Sequence, residues 1–316
     1  MKENILLIGT GPMAQDYAKV LDAQGRFYQV IGRGLASSEK FEALLGVKPF
    51  VGGIDTYLAN NDIGNDCSVI IATGTETLMH ILKIVLAAGV SKVLIEKPAA
   101  LSVKELLDNQ SFLKTYLDKV FVAYNRRFYA SVVETRKIIE EDGGLQSMHF
   151  EFTEWAHKIE PLTKAAGVKE NWFFANSTHV VDLAFYLAGK PIEWNTYSKG
   201  GTLRWHAKTN FTGAGITEKG VLFSYLSNWE SAGRWAIELY TEKRRVYLKP
   251  IEGISIQEKG SVALVEHKFD DELDIKFKPG LFNQVKAFFS NENDTQLCNL
   301  SEQIINAENI YTKILD

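Results

Sequence analysis

The sequence predicts an α/β chain in two parts: a doubly wound parallel sheet, then an α+β domain built on a large, mostly antiparallel, open-faced sheet. Three observations carry this reading. Short apolar runs alternate with helical patterns over residues 1–122, the first run ends in a glycine-rich turn, and in the second part, 123–316, the pattern becomes strands with alternating aromatics beyond Gly143 and Gly144.

The first run is ILLIGTGPMA (5–14). Gly9, Gly11 and Ala14 fit the G-x-G-x-x-G/A pattern, in which the first glycine makes the turn, the second lets a pyrophosphate approach the backbone, and the small third residue allows close helix packing. Pro12 suits a first helical position, and Met13, Tyr17, Val20 and Leu21 recur at helical spacing. The free N–H groups of that helix start, next to Thr10, would face phosphates. Alone, the pattern also describes a plain turn.

Phe27–Gly32 reads as the second strand, and Ser38–Gly46 as a helix capped by its serine and closed by its glycine. The end of such a strand usually carries an acidic residue for a ribose 2′-hydroxyl. Here it carries Gly32, Arg33 and Gly34, then Ser37 and Ser38, which favours a 2′-phosphate and so NADP. The other reading of Arg33 is a solvated loop residue. CSVIIATG (67–74), KVLIEKP (92–98) and KVFVAYNRRF (119–128) read as further strands, with a helix over Thr77–Ala88 and a capping box at Ser102 and Glu105. Thr73, Gly74, Glu96, Lys97 and Asn125 then stand at carboxyl ends of parallel strands and converge near the first loop.

In the second part a helix over Val132–Glu141 precedes MHFEFTEW, and VLFSYLSNW (221–229) puts Phe223, Tyr225 and Trp229 on one face. RWAIELY (234–240) and RRVYLK (244–249) continue the strands. Helices are expected at His179–Ala188, Phe282–Phe289 and Leu300–Leu315. The aromatic face looks too large for these helices to cover, which predicts a homodimer or homotetramer with sheets face to face.

Composition narrows the partners. A net charge of -4 gives no reason to expect nucleic acid or an anionic membrane surface, and no apolar run reaches the length of a membrane span. The first strand starts close to Met1, leaving no room for a targeting segment, so a cytoplasmic location is expected. Cys67 and Cys298 lie far apart and the histidines show no ligand spacing, so neither a disulfide nor a metal site is expected.

GTGPMA, ATGTETLMH, EKPAALS, YNRRF and STHVVDLAFYLAG, in that order and spacing, resemble the Gfo/Idh/MocA oxidoreductases. The resemblance covers most of the chain and is specific jointly, not motif by motif. It implies a Rossmann domain followed by an open-faced sheet, NADP or NAD as cofactor, and hydride transfer to or from a sugar, nucleotide-sugar or cyclitol. It implies Lys97 and His179 as catalytic residues. Around the cofactor it places Gly9, Thr10, Gly11, Pro12, Met13, Thr73, Gly74, His80, Glu96, Lys97 and Asn125, joined by Arg33 and Ser37. Around a small carbohydrate-like substrate it places Tyr124, Arg127, Trp172, Asn176 and His179.

The chemistry suits these types. The Lys97 ammonium can donate to an oxygen that gains charge, although a surface lysine before Pro98 is the plainer alternative. His179 reads as the start of a helix, where the macrodipole favours a neutral imidazole that can take a proton; the alternative is a buried histidine against Trp172 and Phe173. Trp172 either walls the substrate or packs in a core, and Asp182 reads as a supporting group. One departure matters: the family's aspartate four residues before the histidine is Ala175 here, and neighbouring Asn176 and Ser177 are not carboxylates. A dinucleotide-binding regulator and an NAD-dependent glycosidase, both known in the family, therefore stay open. Retention of Lys97 and His179 argues against the regulator.

Overall fold

The computed structural model describes residues 4–290 and 296–316. The chain divides into two compact units, Met1–Asn125 with Lys276–Ile305, and Arg126–Ile275 with Asn306–Asp316.

The first unit is a parallel sheet of β1 (Asn4–Ile8), β2 (Gln29–Gly32), β3 (Phe50–Val51), β4 (Cys67–Ile71), β5 (Lys92–Ile95) and β6 (Val120–Val122). They lie in the order β6-β5-β4-β1-β2-β3, with the short strand Cys298–Asn299 antiparallel against β6. The chain steps outward from β1 to β3 and then returns to lay β4 on the other side of β1. That reversal is the topological switch point, where ligands bind beyond the carboxyl ends of the strands, and the Gly9–Gly11 turn leaves β1 there. Ile5–Ile8, Val69–Ile71 and Val93–Ile95 are buried on both sides, as continuous apolar runs in a doubly covered sheet require.

The helix Pro12–Ala23 buries Ala14, Tyr17, Val20 and Leu21. The late helix Leu281–Phe289 returns to this unit. Gln24 Nε2 donates to the Phe282 carbonyl at 2.9 Å, and the Lys92 ammonium lies 4.8 and 5.1 Å from the Phe288 and Phe289 ring centroids. A boundary drawn once, near residue 122, takes no account of that return.

Two local expectations are corrected. The run 119–128 is not one strand: the Tyr124 and Asn125 amides bond back to Val122 and Ala123 carbonyls, and Asn125–Phe128 coils into a 3-10 turn. The second helix begins at Leu35 rather than Ser38, and Ser38 Oγ donates to the Gly34 carbonyl at 2.9 Å as an interior residue. Gly46, at φ 71°, ends that helix as read.

The second unit holds β7 (Ser147–Glu151), β8 (Pro191–Lys199), β9 (Asn210–Thr217), β10 (Leu222–Asn228), β11 (Ala236–Tyr240), β12 (Arg244–Leu248), β13 (Ser255–Glu258) and β14 (Val265–Glu266). Their order is β14-β13-β12-β11-β7-β10-β9-β8, antiparallel throughout except where β7 meets β10. Phe223, Tyr225 and Trp229 share one face, as their alternation predicts, and all three are buried. The cover comes from within the chain. Phe185 of the helix Thr178–Ala188 stands 5.6 Å from the Phe150 ring and 5.1 Å from Phe223, while Phe173 stands 5.6 Å from Phe152 and 5.8 Å from Phe211. Contrary to the expectation from the aromatic pattern, this face needs no second copy to cover it. The opposite face is the open one, with Tyr197, Leu222 and Leu226 exposed.

The helix expected to start at His179 starts earlier. A π turn over Phe173–Ser177 runs straight into Thr178–Ala188, with Trp172 already helical. The wider turn shifts the apolar spacing out of the 3.6-residue pattern, and Asn176 and Ser177 imitate a cap in the sequence. The closing segment likewise contains a π turn, Ala307–Tyr311, between Leu300–Asn306 and Thr312–Leu315.

Among the described residues no helix is long and apolar enough to cross a membrane, and no group of three or more His, Cys, Asp or Glu is placed to hold a metal ion. Cys67 and Cys298 are both buried.

Candidate functional site

In the first unit the loop after β1 is shaped by two glycines for opposite reasons. Gly9 has φ 126°, and a Cβ there would sit 2.3 Å from the Ala72 carbonyl oxygen, so no other residue fits. A Cβ on Gly11 would meet nothing within 4 Å, which leaves backbone open where the helix Pro12–Ala23 begins. That helix has no side-chain cap. Its uncapped N–H groups and the open backbone at Gly11 fit the pyrophosphate of a dinucleotide. Thr10 Oγ1 donates to Ser37 Oγ at 3.0 Å, tying this loop to the turn after β2, where Arg33 and Ser37 are exposed. The helix Leu35–Leu45 starting there also lacks a side-chain cap.

After β4, Thr73 Oγ1 accepts from Thr77 Oγ1 at 2.9 Å and Gly74 opens the 3-10 turn Thr75–Thr77. His80 lies exposed on the helix Leu78–Ala87, with Nε2 4.0 Å from Asp55 Oδ2. After β5, Glu96 Oε1 accepts from the buried Tyr17 hydroxyl at 2.9 Å. Burial pushes the Glu96 carboxyl up, against the pull of the Lys97 ammonium and the Tyr17 hydrogen bond. Ala99 then adopts φ 75°, the one non-glycine residue in the left-handed region among those described. Such a conformation costs about 1–3 kcal/mol and persists only where its surroundings enforce it. Here the Ala99 amide donates to the Glu96 carbonyl at 3.0 Å and Gln303 Nε2 to the Pro98 carbonyl at 2.9 Å. Lys97 thus sits on a turn held against its own preference. Tyr124 is buried, and Asn125 Nδ2 donates to the Pro279 carbonyl at 2.9 Å.

In the second unit His179 is buried in the interior of a continuous helix, its ring centroid 6.1 Å from that of Trp235. Contrary to expectation, His179 does not stand at a helix start where the macrodipole would act on its imidazole, because the free N–H groups of this helix lie near Trp172. One turn on, Asp182 receives Arg127, Nε to Oδ2 at 2.8 Å and Nη2 to Oδ1 at 2.6 Å, both side chains 1% exposed. Arg127, expected at the substrate, is a buried structural partner instead. Its neighbour Arg126 is partly buried and has no share in that pair.

The sequence reading missed Glu154. Its carboxylate is 1% exposed and accepts from Asn176 Nδ2 at 2.9 and 3.2 Å, Ser177 Oγ at 2.8 Å and Arg234 Nη1 at 3.3 Å. Burial pushes the Glu154 carboxyl above its ordinary value, opposed by the Ser177, Arg234 and Asn176 contacts. A signal was present: Met148, Phe150 and Phe152 alternate inward, and the next inward position holds a glutamate. So the two residues after Ala175 do carry a carboxylate, borrowed from another element. Asn176 keeps its amide oxygen, which no donor among the described residues reaches. Trp172 is partly exposed and meets Trp205 edge-on at 6.4 Å.

Residues 3–124 match the family model described as oxidoreductase family, NAD-binding Rossmann fold. Over those residues the chain is similar to the Gfo/Idh/MocA oxidoreductases. Solved structures extend the likeness of fold to the whole chain. A dehydrogenase (MviM) from Clostridium difficile is 18% identical with a TM-score of 0.76, covering 99% of each chain. An oxidoreductase from Agrobacterium radiobacter, in complex with NAD+, L-tartaric acid and magnesium, is 13% identical with a TM-score of 0.76 over 99% of this chain and 96% of that one. The UDP-N-acetylglucosamine 3-dehydrogenase GnnA from Acidithiobacillus ferrooxidans is 14% identical with a TM-score of 0.71 over 99% and 98%. No curated protein sequence matches the chain. The Gfo/Idh/MocA match spans Gly9 to Tyr124, including Lys97. Asn125, Arg127, Trp172, Asn176 and His179 lie beyond it.

Proposed function

We propose that the chain is an NADP-dependent oxidoreductase that moves a hydride between nicotinamide and a carbon of a sugar, nucleotide-sugar or cyclitol, interconverting hydroxyl and carbonyl. The observation that carries this reading is Lys97 on a strained, enforced turn at the end of β5, in a Rossmann unit whose first loop is open at Gly11. A nucleotide-sugar dehydrogenase among the structural relatives supports the substrate class.

NADP(H), when bound, supplies or accepts the hydride. The backbone at Gly11 and the uncapped start of the helix Pro12–Ala23 would hold its pyrophosphate, and Thr10, Met13, Thr73, Gly74 and His80 would contribute to the same cofactor site. Arg33 and Ser37 would take the 2′-phosphate. Lys97 donates a hydrogen bond to the reacting oxygen as it gains charge, and Glu96 anchors the Lys97 turn through Tyr17. His179 takes the hydroxyl proton in oxidation and returns it in reduction. Glu154 acts through Asn176: by holding the amide nitrogen it turns the amide oxygen outward as an acceptor for substrate hydroxyls. Tyr124 and Trp172 complete the substrate surroundings. The reading includes a cytoplasmic place of action, where NADP(H) is in supply, and a homodimer or homotetramer.

The test is a thermal-shift screen with NADP and NAD, followed by sugars, nucleotide-sugars and cyclitols on the cofactor complex, since a ligand specific to the native state raises stability by mass action. Compounds that stabilise the complex should change nicotinamide absorbance at 340 nm, roughly the order of one turnover per second or faster. Stabilising compounds that cause no redox change would overturn the enzyme reading.

A further inference from the structure

Adjacent arginines in NRRF meet opposite fates. Arg127 turns inward and is neutralised by Asp182. Arg126 is partly buried, with its guanidinium carbon 4.6 Å from the Trp235 ring centroid and 5.7 Å from that of Tyr129. Among the described residues that guanidinium makes no hydrogen bond and no ion pair. A second guanidinium, Arg234, lies 4.4 Å from the same Trp235 ring and 4.9 Å from Trp155. Two cations therefore press on one indole.

Their compensation is thin. Glu154 is the carboxylate in contact with Arg234, and its oxygens are already taken by Asn176 and Ser177. Burial lowers the Arg126 guanidinium from its ordinary range and Arg234 pushes the same way, against Tyr129, Glu252 and Glu154. A partly buried guanidinium that lacks a forked acceptor in the protein gains when a ligand supplies one. The aromatic faces satisfy part of its field but none of its N–H donors.

We propose that Arg126 and Arg234 form an anion site on the second unit, and that the substrate carries an oxyanion, a carboxylate or a phosphate, beside its reacting hydroxyl. This rests on the function proposed above. Trp235 links the two: it holds both arginines on its ring and stands 6.1 Å from the ring of His179, so the charged group binds against a side chain that also neighbours the proton-transfer residue. Arginine is the fitting residue because its planar fork matches the two oxygens of a carboxylate or phosphate.

The test uses the full chain with NADP and four probes: glucose, glucuronate, glucose 6-phosphate and UDP-glucose. Binding is read by calorimetry, separately from nicotinamide absorbance. At least one anionic probe should bind tenfold or more tightly than glucose, and the carboxylate and phosphate arms show which oxyanion is meant. Arg126→Gln and Arg234→Gln should each remove that difference. Arg126→Lys, which keeps the charge and the packing stem, should recover only part of it. Equal binding of glucose and all three anions, absence of binding by any anion at millimolar concentration, or an unchanged difference in the variants overturns the proposal. Selective anion binding with no redox change keeps the site and sinks the oxidoreductase reading. Turnover of glucose without anion preference does the reverse.

Discussion

Arg127 and Asp182 form a two-pronged ion pair at 2.8 and 2.6 Å with both side chains 1% exposed, so the second unit is built around a charge pair that water does not reach. Breaking such a pair from one side leaves an uncompensated buried charge, which typically costs about 3–5 kcal/mol, whereas replacing both partners by apolar residues is often close to neutral. Asp182→Asn should therefore lower unfolding free energy in urea by roughly that amount. The double variant Arg127→Met with Asp182→Leu should recover most of it. A single variant as stable as the parent would show the pair contributes nothing.

NADP should bind more tightly than NAD because exposed Arg33 stands at the end of β2 where an acidic ribose clamp would be. A charge-assisted hydrogen bond is worth about 1.5–3 kcal/mol, or roughly tenfold to a hundredfold in affinity. Arg33→Ala should lose that factor for NADP and leave NAD unchanged in a fluorescence titration. Equal affinity for the two cofactors in the parent protein would refute it.

His179→Ala should reduce turnover by about a hundredfold to ten-thousandfold, the usual range for a lost general base, while NADP binding stays nearly the same. Lys97→Met should be comparably severe. Restoring a carboxylate with Ala175→Asp should bring no gain, since Glu154 already serves the residues that follow. Turnover is measured at saturating cofactor with a substrate from the screen, and a His179→Ala variant that keeps most of its rate would move the proton path elsewhere.

Glu154 makes a pH signature with an unusual sign. Its carboxyl is raised in the folded protein, so the folded state holds the proton more tightly than the unfolded chain does. Its destabilising contribution is absent below the ordinary carboxyl pKa and grows as pH rises through the folded value, above which it is fully present. The thermal midpoint of the parent relative to Glu154→Gln should fall as pH rises through that window. The slope is what matters, because the lost acceptor adds a constant offset. A difference that is flat, or that rises with pH, would contradict the burial argument.

Light scattering should give at least twice the 35.5 kDa of one chain at micromolar concentration. The contact is expected on the open face of the second sheet, where Tyr197, Leu222 and Leu226 are exposed, since exposed apolar patches of this kind mark association surfaces. Leu226→Lys should shift the mass toward one chain. A parent protein that scatters as one chain would exclude the assembly.

The strand-and-helix alternation, the glycine turn and the EKP segment were legible in the sequence because each depends on contacts within a few residues. Gly9 needs a positive φ, β1 is an unbroken apolar run, and Phe223, Tyr225 and Trp229 alternate to one face whatever covers them. What covers them was decided by tertiary structure. Phe173 and Phe185 reach that face only because a π turn extends the helix backward from His179, and local spacing does not reveal a hydrogen bond that skips one residue further. The same holds for the charges. NRRF shows two arginines of equal chemistry, yet one meets Asp182, 55 residues away, and the other meets Trp235. Glu154 lies 22 residues before the amide it holds. Sequence sets the local periodicities and the residue types. Which polar group is paired, and which is left for a ligand, is settled by long-range packing, because desolvation and charge pairing act through space rather than along the chain.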